Sequence, residues 1–103
     1  MADGTTITVP NLNNYNTIIF YNRSEATSGS YEYSIVKLSE LSSSRPVEFC
    51  VYPNNYYYGE YRIIQNTNTN QLTFSIGYCL RQGNLSSGIG VCVPLKIYGI
   101  NLN

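Results

Sequence analysis

Val91-Cys92-Val93-Pro94-Leu95-Lys96-Ile97-Tyr98-Gly99-Ile100 is the stretch whose reading decides the fold. Val91, Val93, Leu95 and Ile97 fall on alternate positions, so in an extended chain they project to one face, with Cys92, Pro94, Lys96 and Tyr98 on the other. A helix would scatter the same residues around its axis, and Pro94 inside it would cost about 3 kcal/mol. The run therefore predicts a strand whose inner face is Val91, Val93, Leu95 and Ile97. Pro94 has no N–H to offer a neighbour, which places this strand at a sheet edge or at a bulge.

Working outward from that strand, the same two-residue period recurs along the chain. Ile7 and Val9 alternate with Thr6 and Thr8. Thr17 to Asn22 is apolar on both faces and predicts a central strand covered on each side. Tyr31 to Leu38 alternates until Val36 and Leu38 break the pattern, as a bulge would. Val47, Phe49 and Val51 form a half-buried strand stopped by Pro53, and Tyr56 to Ile64 forms another. Leu72, Phe74, Ile76 and Tyr78 alternate with Thr73, Ser75, Gly77 and Cys79 in the clearest half-buried strand of the chain. The polar segments between are read as turns and loops: Asn11 to Asn14, Arg23 to Ser30, Ser39 to Pro46, Asn66 to Asn70, and a long Gly-containing loop from Leu80 to Gly90. A brief helical turn at Leu38 to Leu41 is too short to be stable alone.

The expected fold is thus all-β, an antiparallel β-sandwich or jelly-roll-like body of about seven strands with no substantial helix. The chain has 103 residues, enough for one core and too few for two. It is read as a single domain over residues 1–103, with residues 1–4 expected to be flexible.

Composition narrows the chemistry. The formal net charge is zero and 12% of residues ionise, which removes the long-range field that nucleic-acid binding depends on, so no polyanion partner, and in particular no nucleic acid, is expected. There is no basic and apolar leader at the N-terminus and no run long enough to span a bilayer, so neither a signal peptide nor membrane insertion is expected. Cys50, Cys79 and Cys92 sit in apolar strand patterns and are read as small buried thiols rather than a disulfide framework. The chain holds no histidine and one aspartate, Asp3, so neither a Ser-His-Asp nor a Cys-His arrangement can be written. Glu25, Glu32, Glu40, Glu48 and Glu60 show no spacing that singles out a glycosidase pair and are read as solvated surface carboxylates. No catalytic residue, metal ligand or cofactor is expected.

Functional leverage lies in the tyrosines and asparagines of Tyr52 to Tyr61. The chain holds 11 tyrosines and no tryptophan. A tyrosine ring offers a flat apolar face and a hydroxyl, and an asparagine amide both donates and accepts, a combination suited to neutral polyhydroxylated ligands. Tyrosine-rich surfaces also serve protein partners. Asn54, Asn55, Tyr56, Tyr57 and Tyr58 are the candidate ligand-binding residues, with Leu80 to Gly90 beside them. Cross-strand packing could instead absorb Tyr56, Tyr58 and Tyr61. Three consecutive tyrosines nevertheless force at least one to the outer face.

Leu12-Asn13-Asn14-Tyr15-Asn16-Thr17-Ile18-Ile19-Phe20 and the closing Leu95-Lys96-Ile97-Tyr98-Gly99-Ile100 give the order of segments a resemblance to the C-terminal receptor-binding or head domains of bacteriophage tail-fibre and baseplate proteins. The resemblance covers the chain from about Ile7 onward. It implies a β-sandwich displayed as a homotrimer at a virion tail tip and adhering to bacterial cell-surface glycan. It transfers no binding residue one by one. The long fibrous part of a complete fibre is not in this sequence, which implies an excised domain or a small standalone relative. The alternative expectation is a structural or assembly protein of a phage tail that meets identical subunits through its tyrosine-rich surface.

Overall fold

The short two-residue periods close into two antiparallel layers. The computed structural model describes residues 1–24, 31–41, 45–51, 58–68 and 70–103, with backbone alone for 50, 51, 58 and 68. Among these residues the strands are β1 (Thr5–Thr8), β2 (Thr17–Arg23), β3 (Tyr31–Lys37), β4 (Val47–Val51), β5 (Tyr58–Asn68), β6 (Gln71–Phe74), β7 (Gly77–Arg81), β8 (Asn84–Gly88) and β9 (Val93–Ile100). Among the described residues two single 3-10 turns, Leu12–Asn14 and Leu38–Glu40, complete the regular structure, and no α-helix occurs. One sheet has six strands and the other three, the smaller in the order β3-β2-β9. All pairings are antiparallel. This is the all-β sandwich that the periodicity predicts.

A phenylalanine trio joins the layers. Phe20 of β2 stacks on Phe49 of β4 at 4.7 Å between ring centroids, and Phe74 of β6 meets both edge-on at 6.1 and 5.9 Å. Leu12, Ile18, Ile64 and Leu72 complete a fully buried interior around them. The segments 17–20 and 95–100 are neighbours here, since β2 and β9 pair. A Cβ on Gly99 would lie 2.3 Å from the Tyr15 ring. Gly99 is therefore required so that Tyr15 can close one end of the sandwich.

Several sequence expectations are corrected, and most trace to one-residue shifts in register. The strand count exceeds seven for two reasons. Leu72 to Cys79 is interrupted: between the pairs Ile64↔Phe74 and Tyr61↔Tyr78, three steps along β5 face four steps along the other arm. The extra residue reverses which side chains point inward, so Leu72 and Phe74 are buried before the shift and Gly77 and Cys79 after it. The supposed long loop Leu80 to Gly90 is largely the hairpin β7–β8, turning at Gln82 and Gly83, both with positive φ of 50° and 84°. Those angles describe the primed turn that suits a twisted hairpin. The Asn66 to Asn70 turn shrinks as well, because β5 continues to Asn68.

The deciding strand is altered in the same manner. β9 begins at Val93, and Cys92 before it has a left-handed φ of 48°. A register shift opposite Tyr21 and Asn22 leaves Leu95 unmatched, so Pro94 and Ile97 pair with the inward Asn22 and Phe20, while Val93 pairs with outward Arg23. Leu95 is exposed. The inner face is thus not the alternating Val/Leu/Ile set. Pro94 lies on an edge strand and at a bulge, the two places where its missing N–H costs least.

A buried polar cluster fixes the loops around β5. Arg62 is completely buried and donates through Nε to Cys92 O at 2.6 Å, through Nη1 to Ser75 O at 2.7 Å and Met1 O at 3.0 Å, and through Nη2 to Ile89 O at 2.6 Å. Burial lowers its pKa, opposed by the negative potential of Cys92 and Glu60. Glu60, expected at the surface, is instead buried and accepts from Cys92 N at 2.7 Å and from Ser24 Oγ. The strained Cys92 backbone is thereby held from both sides. Residues 1–4, read as flexible, are also tied to the body, by Gly4 N to Phe74 O at 2.8 Å and Ile76 N to Asp3 Oδ1 at 2.9 Å.

Candidate functional site

β2 reads Thr-Ile-Ile-Phe-Tyr-Asn-Arg and cannot hide both faces in a two-layer body. Ile18, Phe20 and Asn22 point to the core, so Ile19, Tyr21 and Arg23 take the opposite side. No third layer covers that side among the described residues, which corrects the expectation of a strand covered on each face. On β3 the alternation is regular, without the expected bulge, but its sense is unusual. Glu32, Ser34 and Val36 face inward, whereas Tyr31, Tyr33, Ile35 and Lys37 are exposed. The interior here is polar: Asn22 Nδ2 donates to Ser34 Oγ at 2.9 Å, close to the Ser24, Glu60 and Arg62 cluster. Polar residues go inward because polar partners await them, and the aromatic ones go outward.

The registers arrange this outer face in rows across β3, β2 and β9. The first row is Lys37–Thr17–Ile100, the second Ile35–Ile19–Tyr98, the third Tyr33–Tyr21–Lys96 and the last Tyr31–Arg23–Val93. Tyr21 lies at the centre of an aromatic patch, stacked with Tyr31 at 5.5 Å and tilted against Tyr33 at 4.9 Å. Tyr33 and Ile35 are 66% and 61% exposed, far more than a packed sheet face would leave them. This contiguous aromatic and aliphatic surface is the candidate contact site.

At the end of the face beside Lys37 and Thr17 opens a cleft of ≈ 690 Å³ whose walls include Asn13, Tyr15, Asn16, Ser39 and Asn66. It is rich in amides, and Asn66 Oδ1 is buried there without a hydrogen-bond partner. The Asn16 amide is already engaged, with Nδ2 donating to Leu102 O at 2.7 Å and Oδ1 accepting from Leu102 N at 2.8 Å. The cleft adjoins the first row through Lys37 and Thr17, and the Ile35–Ile19–Tyr98 row lies between it and the tyrosine patch.

Of the residues singled out from sequence, Asn54, Asn55, Tyr56 and Tyr57 lie outside the described residues, and Tyr58 enters as the first backbone position of β5, paired with Arg81. Tyr61, from the same run, stacks cross-strand on Tyr78 at 5.3 Å, the packing role that sequence left open for it. Tyr21, Tyr31, Tyr33 and Tyr98 were not singled out. Their signal is the alternation of Tyr31, Tyr33 and Ile35, which the sequence shows without showing which face of the sheet it takes. Cys79 and Cys92 are buried free thiols. Among the described residues no cluster of histidine, cysteine and carboxylates is placed to hold a metal ion, and no helix is long and apolar enough to cross a membrane. No protein-family model matches the chain, nor does any curated protein or solved structure.

Proposed function

We propose that this chain is a non-enzymatic recognition module, of the kind carried at phage tail tips, that binds bacterial surface saccharide on the outer face of its three-stranded sheet. The observation that carries this reading is the exposed tyrosine patch of Tyr21, Tyr31 and Tyr33, with the amide-lined cleft at the other end of the same face. Sugar rings stack their apolar faces on such rings, and their hydroxyls exchange hydrogen bonds with tyrosine hydroxyls and asparagine amides. On this reading Glu60 has a structural role, buried and accepting from Ser24 Oγ and Cys92 N. A glycan array and a panel of cell-wall fragments test the reading. Binding that falls at least tenfold in Tyr33→Ala with an unchanged melting temperature supports it, and silence across both panels refutes it.

The aliphatic row Ile35–Ile19–Tyr98 favours a second reading, in which identical subunits or a fibre shaft meet this same face. Analytical ultracentrifugation separates the two: a monomer at high concentration removes the self-association reading, including the homotrimer.

A further inference from the structure

The sequence is neutral overall, yet its charges are not evenly spread. Lys37, Lys96 and Arg23 all stand on the outer face of the small sheet and are exposed. No carboxylate occupies any position in the four rows. From strand geometry, Lys96 and Arg23 lie about 8 Å apart at their Cα atoms, with Lys37 about 17 Å from Lys96 at the far corner. The tyrosine patch shares its two rows with Lys96 and Arg23, and the Ile35–Ile19–Tyr98 row separates it from Lys37. An aromatic surface flanked by cations, with no carboxylate side chain in its rows, has a definite electrostatic complement.

Resting on the saccharide reading above, we infer that the ligand of this face is an anionic glycan polymer, bearing carboxylates or phosphodiesters along its length. Tyrosine rings take the sugar faces while Lys96 and Arg23, beside them in the same rows, and Lys37 at the far corner take successive negative groups. Arg23 can accept a carboxylate or phosphate in bidentate fashion, and the lysines act as point charges. A second copy of the chain is the poorer occupant, since its identical face would bring three more cations and no carboxylate to receive them. A nucleic acid is also poorer. Tyr21 packs on both Tyr31 and Tyr33, so the rings do not stand apart to accept separate bases.

The test titrates the intact chain with polygalacturonate, poly(glycerol phosphate), neutral dextran and oligo(dT), each at 50 and 200 mM salt. If three charges are neutralised, affinity for the preferred polyanionic glycan falls up to about 20-fold between those salts, by analogy with counterion release from single strands. The two polyanions distinguish carboxylate from phosphodiester recognition. Arg23→Gln, Lys37→Gln and Lys96→Gln each flatten the salt dependence by about one third, and the triple variant loses the polyanion while melting as the parent does. Salt-independent binding of neutral glycan alone overturns the inference and leaves the saccharide reading standing. No binding to any saccharide overturns both. Tighter binding of oligo(dT), or a dimer in sedimentation that Tyr33→Glu dissolves, overturns the inference in favour of a nucleic acid or a second copy.

Discussion

Replacing Arg62 by methionine is the sharpest test of how this sandwich is held together. The side chain is fully buried and supplies four hydrogen bonds to the carbonyls of Met1, Ser75, Ile89 and Cys92. Methionine fills a similar volume, so the loss is polar rather than steric. Glu60 remains buried after the change, accepting from Ser24 Oγ and Cys92 N, while the favourable potential of the Arg62 cation is gone. Removing one member of a buried charged set costs about 3–5 kcal/mol. That is a large share of the roughly 5–15 kcal/mol by which a domain of this size is stable. With a urea dependence of about 2 kcal/mol/M, the midpoint falls by about 2 M. Urea titration followed by far-ultraviolet circular dichroism reads the shift directly. Arg62→Lys keeps the charge but not the planar fork that reaches the four carbonyls, and is expected to fall between parent and methionine variant. Combining Arg62→Met with Glu60→Gln should cost less than the sum of the single changes, because the second removes the stranded charge. A midpoint within about 0.3 M of the parent for Arg62→Met would refute the clamp, since that corresponds to well under 1 kcal/mol.

Other expectations follow from particular contacts. Phe20→Ala empties the centre of the Phe20, Phe49 and Phe74 trio and should destabilise by about 3–5 kcal/mol in the same titration. Gly99→Ala drives a methyl into the Tyr15 ring and should cost about 1–3 kcal/mol, partly recovered when Tyr15 is also shortened to alanine. Gly77→Ala is expected to be worse, because its Cβ would lie 2.0 Å from the Val91 carbonyl oxygen, a backbone atom that cannot swing aside. Tyr33→Ala, at a 66% exposed site, should change stability by less than about 0.5 kcal/mol while weakening saccharide binding, which calorimetry and thermal melting measured together would separate.

Sequence alone determined the fold class, because two-residue periodicity and the scarcity of helix formers are local properties that each segment carries by itself. It also located Pro94 at an edge or bulge, since a missing N–H is a property of one residue. What it could not supply was the sense of each strand's alternation. Leu95 and Ile76 were assigned to faces by counting from their neighbours, and a single unmatched residue in β9 or between β6 and β7 reverses such a count. Glu32, Ser34 and Glu60 point inward only because Arg62, Asn22 and Ser24 arrive there from other strands, which no local pattern encodes. The tyrosine face is the other side of the same fact. Tyr31, Tyr33 and Tyr21 are written plainly in the chain, but their exposure, their stacking and their company of lysine and arginine were decided when three separated strands came into register.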